Sequence, residues 1–362
     1  MLLYSCITAV LFVALAFSVT DCRNNQALLK KRAFYFSKPI YTLFFICLIL
    51  LFWFLTAFRD STIGNDTQTY LNYYRDIRKT GVNPNYQIEL GYQYFCLLLT
   101  KIHSSPFFLL IVCATICYTV CGIYIYKKSD NILFSTLLLF CLVFPFFASG
   151  IRQAIAMVIV LAAYYLIKDG KKILPICLIL FASVFHISAL LALLWFAHKY
   201  IPKSPWIIVT AAIVFSILAA LGILNTILIN ILEEYAGYFE SEHAGSGWVG
   251  ITYYCLRALV FYIFAYIAYR KQKNEYSLAT TNVIFLLATS CLGFSNNLFT
   301  RASLYFVLVT AIDLPNMFNS GKIKHRDVWM TVTGVVMLAY FLVTLIIRPE
   351  WNELYPYAFN WN

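Results

Sequence analysis

Arginines placed where apolar segments begin or end are the residues of this chain best suited to chemistry. In "SGIRQAIAMVIVLAAYYLI", Arg152 and Gln153 stand at the start of a long apolar run. An arginine at a bilayer centre costs roughly 2.5–3.5 kcal/mol, so this charge needs either a surface position or a partner. A helix N-terminus favours anions, and a guanidinium binds phosphate or carboxylate through two parallel hydrogen bonds. The pair therefore predicts an anion-binding site.

A second group of charges follows an earlier apolar run, in "FRDSTIGNDTQTY". Arg59 is placed to meet an anion, and Asp66 to meet a hydroxyl group or a proton. The alternative is an ordinary interfacial turn in which Arg59 extends toward lipid headgroups. Because so many charges exceed what solubility requires, we interpret Arg59, Asp60 and Asp66 as one wall of a site.

Four more residues are candidates on similar grounds. Glu89 begins "ELGYQYF", where the helix dipole favours a carboxylate with or without a function. His186 lies between two short apolar runs in "FHISAL", and an intramembrane histidine equally often bonds a neighbouring helix. Arg301 follows "GFSNNLFT" at a segment boundary. Arg257 lies about two helical turns inside an apolar run, where a charge requires a partner.

Transmembrane helices are the elements that must position these residues. The chain has 362 residues, of which 62% are hydrophobic and 12% charged. Apolar stretches close to the roughly 20 residues that cross a bilayer recur throughout. The sequence predicts an all-α polytopic membrane protein with about 12 transmembrane helices in a single domain, 1–362. The predicted segments are 1–19, 40–58, 105–126, 132–148, 152–168, 173–185, 187–199, 206–222, 249–269, 280–297, 302–318 and 328–347.

Several segments have special features. The segments 173–185 and 187–199 are short for a crossing and fit a tilted or re-entrant pair. Two excursions, 59–104 and 223–248, are predicted on the outer face, and the first half of the second is expected to lie flat on the membrane. Residues 1–19 lack the positive leader of a signal peptide and are interpreted as the first span.

The basic residues sort onto one side of this topology. Eighteen of the 27 lysines and arginines fall in alternate connections, which the positive-inside rule makes cytoplasmic. Both termini are then outside, and the net charge of +11 reflects these loops and does not indicate nucleic-acid binding. Seven of the nine remaining basic residues are arginines, which indicates anion recognition on the outer face. The eighteen are Arg23, Lys30, Lys31, Arg32, Lys38, Lys127, Lys128, Lys168, Lys171, Lys172, Lys199, Lys203, Arg270, Lys271, Lys273, Lys322, Lys324 and Arg326.

A set of short motifs, taken in order, resembles a known family. The motifs are "RDSTIGNDTQTY" after a span, "ELGY" some way downstream, "SGIRQAIA" at the start of a span, "FHISAL" and "RASLYF". Together, over about residues 40–310, they resemble the EpsG/Wzy-type polysaccharide polymerases. The order and spacing of the motifs carry the resemblance more than any single motif does.

The resemblance implies a fold, an activity and a location. It implies a GT-C-like architecture in a bacterial cytoplasmic (inner) membrane, with the active site on the periplasmic or outer side. The implied activity is a glycosyltransferase that joins oligosaccharide repeat units carried on undecaprenyl diphosphate, as in O-antigen, capsule or exopolysaccharide synthesis. Membrane lipid and a chain-length regulator protein are the other implied partners.

The candidate residues suit this chemistry. Negative charge grows on a leaving diphosphate, and preorganised cations stabilise it. Arg59, Arg152 and Arg301 are expected to bind the diphosphate, with Arg257 as a further candidate. The attacking hydroxyl needs a general base. The candidates for that base are Asp66, which is weakly favoured, Glu89 and His186.

The remaining expectations concern the sugars and cofactors. Asp60, Tyr70 and Gln153 are expected to contact sugar, although tyrosines here also fit an interfacial aromatic belt. No cofactor is expected. A divalent metal on Asp60, Asp66 or Glu89 is compatible with the sequence but is not required, because arginines supply the positive charge. The eleven cysteines show no metal-ligand spacing.

Two alternative functions stay open. A flippase for lipid-linked oligosaccharides suits the many spans, but the charged motifs gather on one face and no matching pair of broken helices is visible. An O-antigen-type ligase uses the same donor with a different acceptor. Ligases characteristically have a larger outer loop late in the chain, whereas the late outer loops are short here.

Overall fold

A computed structural model describes residues 2–26, 39–86, 88–223, 226, 248–320, 323–349 and 353–360. Within those residues the chain is helical, and the one β-bridge joins Arg59 to Phe359. The predicted excursion 223–248 lies almost wholly outside the described residues. The helices are α1 (Leu2–Gln26), α2 (Pro39–Ala57), α3 (Thr67–Thr80), α4 (Leu90–Ile102), α5 (Phe107–Lys128), α6 (Ile132–Leu142), α7 (Phe144–Phe147), α8 (Ile151–Lys168), α9 (Ile173–Ser183), a 3₁₀ helix (Ile187–Ala197), α10 (Pro205–Ala220), α11 (Trp248–Lys271), α12 (Lys273–Leu292), α13 (Asn297–Ala302), α14 (Leu304–Phe318) and α15 (Arg326–Ile347).

Seven stretches of the described chain are long and apolar enough to cross a membrane, which makes this a multi-pass membrane protein. Four shorter apolar helices, α6, α9, the 3₁₀ helix and α10, accompany them. The all-helical class is therefore confirmed, while the count of twelve spans stays a prediction. The seven stretches are Leu2–Thr20, Pro39–Ala57, Phe107–Lys128, Ile151–Lys168, Gly250–Lys271, Leu298–Phe318 and Arg326–Ile347.

The predicted segment 132–148 is interrupted. Helix α6 ends at Leu142, and α7 restarts at Phe144 for a single turn. Pro145 explains the break, because proline has no N–H to donate and its ring clashes with the carbonyl four residues earlier. The 11 residues of α6 span about 16 Å, roughly half the thickness of a bilayer core.

The chain divides into two compact units, 1–190 with 324–362, and 191–323. In the first unit, α5 packs against α2 and α8, α8 against α9, and α6 against α1 and α15. In the second unit, α12 packs against α10, α11 and α14. The predicted outer excursion 59–104 contains α3 and α4, which pack against each other. The prediction of one domain is not tested by this division.

The turn that joins α2 to α3 is held from two sides within the first unit. Gly64 has φ +86°, and a Cβ there would lie 2.1 Å from the carbonyl oxygen of Ala148, just before α8. On the other side, the Gly64 N–H donates to the Glu353 carbonyl at 3.0 Å. The Asp60 N–H donates to the Ala358 carbonyl at 3.0 Å. The C-terminal segment 353–360 therefore fixes this turn against the start of α8.

Replacing Gly64 by alanine is expected to destabilise the protein by well over the roughly 1–2 kcal/mol that a left-handed alanine costs, because the new methyl group would also collide with backbone. Thermal unfolding of the detergent-purified protein measures this. The matched control is Gly170→Ala, just after α8, where φ is +81° but no atom lies within 4 Å of a Cβ. Equal losses for the two variants would contradict the proposed close contact.

Candidate functional site

Three ionisable candidates from separate motifs meet in the first unit. Glu89 precedes the first turn of α4, Arg152 is the second residue of α8, and His186 lies three residues beyond α9. The side chains of Glu89, Arg152 and His186 are 20%, 22% and 26% exposed. A ligand can therefore still reach them, while much of each side chain is shielded from water.

The carboxylate of Glu89 and the guanidinium of Arg152 form the central ion pair. Nη1 of Arg152 donates to Oε2 of Glu89. The guanidinium carbon also lies 5.8 Å from the centre of the Tyr70 ring, within the range of a cation–π interaction. Tyr70 is in turn packed edge-on against Tyr92 at 5.8 Å. These contacts restrict the Arg152 side chain to a defined position.

The second oxygen of Glu89 faces the segment after α9. Oε1 lies 3.7 Å from Nδ1 of His186 and 3.4 Å from the backbone nitrogen of Ile187, which donates to it. Nδ1 of His186 also lies 3.2 Å from the hydroxyl of Ser188. The single carboxylate of Glu89 thus connects the arginine and the histidine.

Gly91 allows this meeting. A Cβ at Gly91 would lie 2.1 Å from Cγ1 of Val184 and 2.7 Å from the Val184 carbonyl oxygen. Only a residue without a side chain lets α4 approach the end of α9 so closely. The glycine of the "ELGY" motif therefore accounts for the short distance between Glu89 and His186.

Arg59 is positioned differently, since its side chain is only 1% exposed. Nε donates to the Thr67 hydroxyl at 3.2 Å, and Nη1 donates to the Thr56 carbonyl. The Thr67 hydroxyl also lies 3.2 Å from the Ala148 carbonyl. Burial lowers the pKa of Arg59 to about 10, so the guanidinium is still charged at neutral pH. Arg59 thus connects the end of α2, the start of α3 and the turn before α8.

The other candidates of the first unit surround this region. The Asp60 carboxylate accepts hydrogen bonds from the backbone N–H and hydroxyl of Thr62, and these bonds lower the pKa of Asp60. Asp66 precedes α3 without a side-chain bond to that helix. Gln153 is buried beside Arg152. The roles predicted for Asp60, Asp66 and Gln153 stay predictions.

Arg257 and Arg301 belong to the second unit. Arg257 is buried in α11, with its guanidinium 5.8 Å and 5.1 Å from the ring centres of Tyr253 and Tyr254. Arg301 is exposed in α13. The aromatic rings give Arg257 a partner of the kind that a buried charge requires. The predicted diphosphate contacts of both arginines are not tested.

Sequence reasoning overlooked four contributors: Thr67, Gly91, the Ile187 N–H and the segment 353–360. Thr67 and Gly91 stand inside quoted motifs, so their position beside charged residues was an available signal. The Ile187 N–H is a backbone group and has no sequence signal. No pattern in the segment 353–360 indicates its contacts with the turn after α2 either. These contributors act by positioning other groups.

The arrangement suits the recognition of an anionic group next to a group that can accept a proton. Arg152 supplies a charge and a forked donor, and Glu89 with His186 supplies acceptors. Within the described residues, no three or more His, Cys, Asp or Glu side chains gather into a metal-binding group. The expectation that no metal is required is untested.

The comparison with models of protein families identifies a family for this chain. The model of the EpsG family matches residues 42–359, and the chain therefore belongs to the EpsG family. This confirms the resemblance derived from the motifs and extends it through α15 and the C-terminal segment that holds the site turn. Membership supports a membrane protein of the polysaccharide-polymerase type. No curated protein and no solved structure matches the chain.

The ion pair between Glu89 and Arg152 is expected to be energetically coupled, because both groups are largely buried. A double-mutant cycle of Glu89→Gln and Arg152→Gln, followed by thermal unfolding, should give a coupling of about 1–3 kcal/mol. The Lys128–Asp169 pair at 3.2 Å, with side chains 32% and 53% exposed, is the control. Its coupling should not exceed about 1 kcal/mol. Similar couplings for both pairs would contradict the shielded character of the site.

Proposed function

We propose that this protein is a glycosyltransferase that polymerises oligosaccharide repeat units carried on undecaprenyl diphosphate. The reaction takes place on the outer face of a bacterial cytoplasmic membrane, by a GT-C-like architecture of about 12 spans. The observation that carries the proposal is the meeting of Glu89, Arg152 and His186, from three family motifs, at one shielded but accessible place.

The placement of lysines supports an outer-face site. Arg152 stands at the first turn of α8, and Lys168 at its last turn, about 24 Å away along the helix axis. Lys127 and Lys128 end α5, and Lys128 pairs with Asp169 just beyond α8. The lysine-rich end is cytoplasmic by the positive-inside rule. The Glu89–Arg152–His186 group is at the opposite end of the helix.

Arg152 is proposed to bind the diphosphate of the donor. When the bond from the anomeric carbon to the diphosphate oxygen breaks, negative charge grows on that oxygen. A guanidinium held by Glu89 and Tyr70 is already oriented, so little reorganisation is needed as this charge forms. Glu89 occupies only part of the five N–H donors of Arg152, which leaves others for an anion.

His186 is proposed as the general base, with Glu89 as its orienting partner. Glu89 faces Nδ1 of the ring and would stabilise the imidazolium that forms when Nε2 takes the proton of the attacking hydroxyl. The sequence alone weakly favoured Asp66 as the general base, and the present proposal favours His186 instead. It rests on the contact between His186 and Glu89, whereas Asp66 lies at the start of α3 with no bond of that kind.

The decisive assay supplies purified protein in liposomes with a lipid-diphosphate-linked repeat unit and follows the products on a gel. The wild type should give a ladder of lengthened lipid-linked glycans. Arg152→Lys should lower the rate by about 10²–10³-fold, since an ammonium group cannot reproduce the planar fork. His186→Asn should lower it by about 10²–10⁴-fold.

Lys128→Gln, at the opposite end of the helices, is the control and should leave the ladder unchanged. Folding of every variant is checked by size-exclusion elution and unfolding temperature. Loss of the ladder in Lys128→Gln as well would indicate general damage. Movement of intact lipid-linked units across sealed vesicles, without a ladder, would overturn the polymerase in favour of the flippase. Transfer to a different acceptor would favour the ligase.

A further inference from the structure

A small cavity lies beside the buried side chain of Arg59. It is lined by residues of α2, α5, α7 and α8. The volume open to the centre of a water molecule there is about 10 Å³. This is the space of one water molecule or one monatomic ion. The lining residues are Thr56, Arg59, Leu110, Cys113, Ala114, Cys117, Phe147, Ile151 and Ala154.

Arg59 has donor capacity that the protein does not use. Its Nε and Nη1 are bonded to Thr67 and Thr56, but Nη2 is buried and has no hydrogen-bond partner in the described part of the chain. An unsatisfied charged donor at this depth is costly, typically more than the 1–3 kcal/mol of a neutral one. A ligand in the cavity would relieve that cost.

The charge of Arg59 is also unbalanced. Across the described residues no carboxylate lies within ion-pair distance of its guanidinium, and its bonded oxygens belong to a hydroxyl and a carbonyl. Isolated buried charges are costly unless they are paired. Arg152 differs in this respect, because Glu89 neutralises it.

The lining chemistry favours an acceptor over a water molecule. The polar groups at the wall are the guanidinium N–H of Arg59, the hydroxyl of Thr56 and the thiols of Cys113 and Cys117, and thiols are weak donors and weak acceptors. A water molecule needs acceptors for its own two hydrogens, and this wall offers only two weakly accepting thiols and the Thr56 hydroxyl, which already bonds the Phe52 carbonyl and the Tyr118 hydroxyl. A halide only accepts hydrogen bonds and also supplies the missing negative charge.

We propose that this cavity is a chloride site, in which one monatomic anion accepts a hydrogen bond from Nη2 of Arg59 and neutralises its charge. The cavity is too small for a diphosphate. The anion would stabilise the junction of α2, α3 and α8 through Arg59. It would not contact a substrate bound at Arg152. This site is independent of the glycosyltransferase proposal.

The test measures thermal unfolding of the full chain in detergent, at constant ionic strength and pH, with chloride replaced stepwise by gluconate, which is too large for the cavity. The wild type should unfold at a temperature that rises with chloride, by about 2 °C per tenfold increase above the dissociation constant. Bromide should replace chloride, and line broadening in ³⁵Cl NMR should report the binding directly.

Two variants locate the ion. Arg59→Met removes the cation, and Ala154→Leu fills the cavity while keeping Arg59, so both should lose the chloride dependence. Arg75→Gln, which changes a partly exposed arginine of α3 that does not line the cavity, should keep it. A wild type whose unfolding temperature and ³⁵Cl line width do not respond to chloride would overturn the site and leave a water molecule as the occupant. Retention of the response in Ala154→Leu would overturn this location.

Discussion

The junction between α2, α3 and α8 is the constraint on which the candidate site depends. A left-handed glycine, a buried arginine and a threonine hydroxyl bring the turn at 58–66 into contact with the backbone just before α8. That contact fixes where α8 begins and therefore where Arg152 stands. The segment 353–360 closes the turn from its other side.

Two arginines of one unit show two ways of placing a positive charge next to the end of an apolar helix. Arg152 remains partly exposed and shares a carboxylate with a histidine, which keeps it accessible to an incoming anion. Arg59 is enclosed, and three different segments of backbone and hydroxyl meet around it. The first arrangement suits recognition, and the second suits rigidity. Both types of position looked alike in the sequence, as an arginine next to an apolar run.

Much of the fold was accessible from hydropathy, because long apolar runs have few alternatives to helices in a bilayer. The three residues that meet, Glu89, Arg152 and His186, were all among the candidates, since ionisable groups are conspicuous in an apolar chain, and their roles stay predictions. The meeting of these three residues was not predicted, because it depends on Gly91. This glycine lets α4 touch Val184, about a hundred residues away in the chain. The interruption between α6 and α7 at Pro145 was not predicted either, because hydropathy does not reflect the absence of an N–H group in proline.

The contacts of the C-terminal segment have a consequence for the order of assembly. Tyr357 donates to the carbonyl of Leu55, 302 positions earlier, and the bridge from Phe359 to Arg59 joins residues about 300 positions apart. At translation rates of about 5–20 residues per second, roughly 15–60 s separate the synthesis of these partners. The early helices therefore enter the membrane with the turn at 58–66 still open on one side. The candidate site takes its final shape only after residues 353–360 have been made, so a nascent chain that stops short of them does not yet carry it.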